Sequence, residues 1–243
     1  LIEYFWPGPL TLVLKQKEVI TPLASLVTGN LNTVAIRVPI HTTAQALITE
    51  FGYPIAAPSA NISGRISPTR YKDVLLNMDG KISALIKGDN CSVGLESTIV
   101  SFSDNKPTLL RPGGIPAEII ETKLDQTLLR LPDSSIEEHK ILAPGMMESL
   151  YAPNCELKLN QISPSPNELF LGFGAVQNDT LGLNLSKDAN LTEAAANFFA
   201  TLTDIDTMAK LMKLKTVSVA PIPDVGLGAA INDRLKRAAS QKH

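Results

Sequence analysis

Short apolar runs alternate with amphipathic stretches through the first half of the chain. Leu10–Leu14, Val34–Val38, Ile55–Ala57, Thr98–Phe102 and Thr108–Leu110 are brief and dominated by aliphatic residues, the pattern of buried strands. Between them, Thr42–Phe51 and Thr69–Met78 have helical spacing, the second introduced by Ser67 as a side-chain cap and Pro68 at the first helical position. Pro116–Leu124 repeats the helical pattern. The alternation predicts an α/β domain over residues 1–130. Over 131–166 the periodicity fades, and Pro132, Pro144, Pro153, Pro164 and Pro166 interrupt any helix, which predicts an interdomain linker. In 167–243, Leu169–Phe173 and Thr216–Ala220 read as buried strands. Thr192–Lys213 brings Phe198, Leu202, Ile205, Ala209 and Met212 onto one helix face, with Asn190 and Glu193 as its cap. The last helix has Ile231, Leu235 and Ala238 apolar against charged Arg234, Lys236 and Arg237. This second part is predicted to be a smaller α/β unit around a parallel sheet.

With 243 residues, 44% of them hydrophobic, the chain can bury a core for one large or two modest domains. No apolar run approaches the roughly 20 residues of a membrane helix and no basic-then-apolar leader opens the sequence, so a cytoplasmic protein without membrane contact is expected. Cys91 and Cys155 fit no C-x-x-C spacing and read as ordinary thiols. The formal charge of -2 argues against a protein built mainly to grip a phosphate backbone, so nucleic-acid contact is expected to be local or assisted. The sequence begins with Leu1 rather than methionine and opens on Phe5-Trp6-Pro7-Gly8-Pro9, an approach to a strand, which creates the expectation that further residues precede it.

Four segments could carry chemistry. In Pro54–Gly64 a strand-like run gives way to small polar residues, among them Ser59 and Asn61, and Ser67 stands at the next helix start. That arrangement suits a phosphate or carboxylate, and equally an ordinary Ser/Asn/Gly turn. Gly94–Thr98 places Ser97 and Thr98 at the mouth of a strand. Arg111 ends a strand before Pro112-Gly113-Gly114, where its planar fork either projects from the sheet edge or lies on the surface beside the turn. Arg37 interrupts the apolar run of Val34–Val38, so it either points outward or meets an anion. There is no phosphate loop of the G-x-x-x-x-G-K-[ST] type, no H-E-x-x-H and no G-x-S-x-G. Gly172-Phe173-Gly174 and Gly226-Leu227-Gly228 lack the third glycine of a dinucleotide site. His41, His139 and His243 do not make a triad, and His41 reads as a helix-start residue.

Taken in order, Phe5–Thr11, Val34–Pro39 with His41, Ala57–Asn61 with Ser63-Gly64, Ser67–Thr69, Glu96–Ile99 and Leu110–Gly113 resemble the YrdC family of threonylcarbamoyl-AMP synthases. Ala143–Met146 through Tyr151-Ala152-Pro153 is similar to the linker of the long, two-domain members. Asn184–Ser186, Glu193–Phe199 and Gly226–Arg234 resemble their C-terminal domain.

The resemblance implies a twisted open α/β sheet with a second, smaller Rossmann-like domain. It also implies synthesis of threonylcarbamoyl-AMP and pyrophosphate from L-threonine, bicarbonate and ATP, with Mg2+ accompanying the ATP, as the donor step for threonylcarbamoyladenosine formation in tRNA. By position, Thr33, Ser59, Asn61, Ser67, Arg111 and Tyr151 match ATP-site positions of the family, and Arg37, Ala57 and Ser97 match threonine-site positions. No catalytic proton shuttle and no protein-held metal are implied. Contact with tRNA would be weak or indirect, through tRNA threonylcarbamoyl-transferring proteins. The sequence departs from the family in two places. The N-terminal lysine and arginine motif expected before Trp6-Pro7-Gly8-Pro9 has no counterpart, and the linker positions ahead of Tyr151 are Met147, Glu148, Ser149 and Leu150. An RNA-binding or regulatory module, and an inactive family member, are the alternatives that these features leave open.

Overall fold

The computed structural model describes residues 1–17, 23–104, 106–130, 150–177 and 179–240. The chain divides into two compact units, one formed by Leu1–Pro58 and Glu96–Met147, the other by Ser59–Leu95 and Glu148–His243.

In the first unit a short helix α1 (Ile2–Phe5) precedes β1 (Leu10–Lys15), α2 (Ser25–Thr28), β2 (Thr33–Ile36) and α3 (Thr42–Phe51). The second unit contributes α4 (Tyr71–Met78). The chain then continues through β3 (Thr98–Ser101), β4 (Thr108–Arg111), α5 (Ala117–Leu124) and β5 (Leu129–Arg130). The five strands form one mixed sheet in the order β2-β1-β3-β4-β5. Alternation along them sorts the residues by face. Leu10, Leu12 and Leu14 of β1 and Val100 of β3 look one way and pack with Ile115, Ile120 and Leu128, the latter group supplied by α5 and its flanks. Burying each of these large side chains contributes about 1.5–3 kcal/mol. The other face therefore carries the residues between them, Thr11, Ser97, Ile99 and Ser101.

The second unit holds β6 (Glu156–Lys158), β7 (Leu169–Gly172), β8 (Gly182–Asn184), the long α6 (Leu191–Met212), β9 (Thr216–Val219) and α7 (Leu227–Ala239). Its four strands are all parallel, in the order β6-β9-β7-β8, as the sequence pattern predicts. Ala194, Phe198, Leu202, Ile205 and Ala209 of α6 and Ile231, Leu235 and Ala238 of α7 fill the core. Met212, expected on the same stripe, is 45% exposed because it belongs to the last turn of α6. Asn190 caps α6, its side-chain oxygen accepting from the N–H groups of Thr192 and Glu193. Glu193 accepts instead from the Ser186 hydroxyl, so the cap is one-sided rather than reciprocal.

Several expectations need correction. Ile55–Ala57 forms no strand and is exposed; Pro54 and Pro58 bracket it and lack the N–H groups a ladder needs. β2 starts at Thr33 and stops at Ile36, ahead of Arg37 and Pro39. Helix α4 begins at Tyr71 with Arg70 as its cap residue, so Ser67 and Pro68 precede it without capping it. The Thr69 carbonyl is taken by the Cys91 N–H at 2.9 Å, which holds the intervening backbone out of the helix. Arg234, expected among the outward charges, has no exposed surface. β6 falls within the stretch 131–166 expected to be linker, three residues being too short to register as a periodic run. His139, Ala143–Met146 and the linker positions Met147, Glu148 and Ser149 lie outside the described residues, as does His243.

A polar contact on the parallel sheet gives a pH signature. Glu168 precedes β7, and its carboxylate accepts from Lys158, from the Ser218 hydroxyl at 2.6 Å and from the Ser165 N–H at 3.1 Å. These donors, Lys158 foremost, hold its pKa down at about 2. A folded pKa below the unfolded value means stability that is complete above the normal carboxylate pKa and lost as pH falls toward 2. Glu168→Gln is therefore expected to melt below the wild type at pH 7. The gap should narrow steadily between about pH 4.5 and pH 2.5, and a pH-independent gap in thermal melts would contradict the assignment.

Candidate active site

In the first unit Thr33, Arg37, Ser97 and Arg111 gather on the sheet face opposite the apolar core, and Ala57 does not join them. β1 and β2 are antiparallel with Lys15 opposite Thr33 and Leu12 opposite Ile36. Continuing that register puts Arg37 opposite Thr11, and the Gly8 N–H donating to the Val38 carbonyl at 2.8 Å extends the pairing past the strand end. Thr33 and Arg37 thus share a face with Ala35 between them, separated by about 13 Å along the strand. Thr33 is buried and Arg37 exposed.

At the Arg37 end of this face the polar groups interlock. The Thr11 and Ser97 hydroxyls lie 2.7 Å apart and both residues are buried. Arg111, the last residue of β4 and 8% exposed, donates from Nε (3.2 Å) and Nη2 (2.9 Å) to the Ser97 carbonyl and from Nη2 (3.2 Å) to its hydroxyl. The neighbouring Thr98 hydroxyl turns toward the Ile115 backbone, donating to its carbonyl at 2.7 Å and accepting its N–H at 2.9 Å. Gly113 is required here, because a Cβ on it would lie 2.5 Å from backbone atoms of Glu96, Ser97 and Thr98. Glu96–Thr98 and Leu110–Gly114, weak signals separately, are joined by these contacts. Thr11, beside Ser97, is not among the residues singled out from the sequence; the signal for its place is a hydroxyl between leucines, which alternation sends to the face opposite the core. Ala57 is exposed and belongs to no strand.

Ser59, Asn61, Ser67 and Tyr151 belong to the second unit. Ser59 is exposed and Ser67 buried. The Asn61 amide nitrogen donates to the carbonyls of Ile62 (3.0 Å) and Arg65 (2.9 Å), closing the turn at Gly64. Its Oδ1 and the Thr69 hydroxyl are buried atoms without a hydrogen-bond partner among the described residues, one on each side of Ser67. Buried polar atoms are rarely left so, and orphaned acceptors beside a loop of small residues suit a ligand or water. Tyr151 has left-handed backbone (φ 63°), and its ring is buried against Phe199 at 5.3 Å and Arg234 at 5.8 Å.

Comparison with known proteins identifies the family of the chain. A family model described as telomere recombination matches residues 1–113, and one described as threonylcarbamoyl-AMP synthase, C-terminal domain, matches residues 115–240. The threonylcarbamoyl-AMP synthase of Bacillus subtilis (strain 168) is 36% identical across 98% of this chain and 72% of its own length. The chain belongs to the threonylcarbamoyl-AMP synthase family. The family enzyme of Pyrococcus abyssi is 35% identical across all of this chain and 73% of its own length. The crystal structure of P. abyssi Sua5 complexed with L-threonine superposes with a TM-score of 0.84 at 33% identity, covering 98% of this chain and 72% of that one. As a threonylcarbamoyl-AMP synthase family member, the chain is a nucleotidyltransferase of tRNA modification, with the mixed sheet and the parallel second sheet of that family. No helix among its described residues is long and apolar enough to cross a membrane.

Proposed function

We propose that this threonylcarbamoyl-AMP synthase uses L-threonine, bicarbonate and ATP, and that the face carrying Thr33, Arg37, Ser97 and Arg111 holds them. The observation that supports this reading is the shared face itself: two arginines and two hydroxyls on, or one residue beyond, strands β2, β3 and β4 of one sheet look away from the apolar core. Arg37, exposed at the end of β2, is the group to meet the threonine carboxylate as a planar two-donor fork. Ser97 and the Ala57 backbone would complete the amino-acid side. On this face Arg111 and Thr33 would serve the nucleotide; in the second unit, the resemblance to the family makes Ser59 and Ser67 nucleotide-binding positions of their own loop. Asn61 Oδ1, an acceptor, suits a hydroxyl or amino donor of a substrate rather than a phosphate.

The chemistry asks for little from side chains beyond placement. The threonine amine combines with bicarbonate to give a carbamate with loss of water. A carbamate oxygen then attacks the α-phosphorus, and the bond to the β-phosphate bridging oxygen breaks to release pyrophosphate. Holding the anion and the phosphate in line, with cations beside the growing charge, supplies the acceleration. Among the described residues no three His, Cys, Asp or Glu side chains gather into a metal cage. Magnesium would therefore be held by the nucleotide's own phosphates and water, as that ion commonly is. Tyr151 would have to leave its contacts with Phe199 and Arg234 to cover a nucleotide. Contact with tRNA, or with proteins that pass the threonylcarbamoyl group to it, lies beyond this synthesis step.

The test is substrate dependence together with one substitution. Pyrophosphate release should require both threonine and bicarbonate, and Arg37→Ala should raise the KM for threonine by about ten- to a hundredfold while changing the KM for ATP less than threefold. ATP turnover without threonine, or the reverse ranking of the two KM values, would overturn the assignment.

A further inference from the structure

The loop proposed to take the nucleotide runs into the segment 64–70, which is tied at both of its ends to helix α6. Arg70, which caps α4 three residues after Ser67, directs its guanidinium at two carboxylates at once. Nε and Nη2 donate to Asp73 at 2.7 and 3.0 Å, while Nη1 and Nη2 donate to Asp204 at 2.7 Å each. Asp204 lies in the third quarter of α6, inside the region matched by the second family model, whereas Arg70 lies inside the first. The paired acids hold Arg70 firmly in its charged form, and Arg70 lowers the pKa of Asp204. Near the other end of the loop, Arg65 Nη1 donates to Asn154 Oδ1 at 2.8 Å. The Asn154 amide and backbone N–H both donate to Asp206, at 2.7 and 2.8 Å. Asp206 stands two residues after Asp204 on the same helix. The Gly64 carbonyl accepts the Ala152 N–H at 2.9 Å. Residues 64–70, with buried Ser67 inside them, are thus clamped from one helix by two acids, Asp204 directly on Arg70 and Asp206 through Asn154 on Arg65.

We infer that Asp204 is a positioning residue for ATP: through Arg70 it sets the backbone that carries Ser67, so the C-terminal domain tunes nucleotide affinity without touching the nucleotide. This rests on the reading of the Ser59–Ser67 loop as a nucleotide site. A bidentate arginine pair fixes orientation as well as distance, which a surface ion pair made only for stability does not need. Asp204 itself is half exposed, so removing its charge leaves α6 and its apolar stripe intact.

The experiment compares Asp204→Asn, Asp204→Glu, Arg70→Ala, the Asp204→Asn/Arg70→Ala pair and Ser67→Ala in the full chain. ATP and threonine KM values are read beside melting temperature. Asp204→Asn is expected to raise the KM for ATP roughly five- to thirtyfold, leave the KM for threonine within twofold and move the melting temperature little. Asp204→Glu should recover most of the loss, and in the Arg70→Ala background Asp204→Asn should add nothing further. An Asp204→Asn enzyme with an unchanged ATP KM, equal losses for both substrates, or additive losses in the double variant would overturn the inference. Ser67→Ala separates the two ideas. If it weakens ATP while Asp204→Asn does not, the positioning role fails alone; if it leaves ATP untouched, the nucleotide loop was misassigned.

Discussion

Arg111→Ala is expected to lower kcat/KM for pyrophosphate formation by about a hundredfold or more, the size seen when a charge-stabilising donor is removed from an active site. Two effects combine. The substitution removes a buried cation from the face proposed to hold the substrates, and it removes the donors at 2.9 and 3.2 Å from the Ser97 carbonyl. Arg111→Lys separates them. A lysine keeps the charge, but one ammonium cannot reproduce a fork that reaches the Ser97 carbonyl from both Nε and Nη2. It should restore much of the lost melting temperature yet stay at least tenfold slow. Pyrophosphate release and thermal melting, run on the same preparations, give both readings. A lysine variant with wild-type rates would mean that charge alone suffices and that the interlock with Ser97 has no part in turnover.

Much of this site could be read in the sequence, and the failures have specific physical causes. Helices over Thr42–Phe51 and α6, and strands at Leu10, Thr98, Leu169 and Thr216, follow from spacing, because burial on one face imposes a period on the chain. Ser97 and Arg111 could be named as strand-end groups, but their contact could not, since it joins loops brought together only by the pairing of β3 with β4. Arg234 shows the opposite error. Its position, three after Ile231 and four before Ala238, lies on the buried stripe, and only its chemistry suggested the surface. The core accepts it because Asp233 pairs with it at 3.0 Å and the Tyr151 ring lies beneath it. Ser67 looked like a helix cap because Ser-Pro so often is one; the Cys91 N–H and the acids around Arg70 move the helix start beyond it. Local patterns reported which residues are buried or polar, and contacts distant in sequence decided what those residues hold.

The second large effect is expected from Gly113→Ala, and it separates architecture from chemistry. A methyl there would sit 2.5 Å from the Glu96 carbonyl oxygen, the Ser97 carbonyl carbon and the Thr98 nitrogen, all of them backbone atoms that no rotamer change can move. Those atoms are themselves tied down, by the Gly114 N–H on the Glu96 carbonyl at 2.9 Å and by the Thr98 N–H on the Pro9 carbonyl at 3.0 Å. Relief must come from pushing the Leu110–Gly114 loop off β3, which also pulls Arg111 away from Ser97. The expected cost is about 2–4 kcal/mol, seen in calorimetry as a fall of roughly 5–15 °C in melting temperature. Activity should fall with it even below the melting range, because the displaced loop carries Arg111. If Gly113→Ala melted normally and lost activity, the contact with Glu96–Thr98 would serve the reaction alone. If it melted low yet turned over normally, Arg111 would act independently of its hold on Ser97.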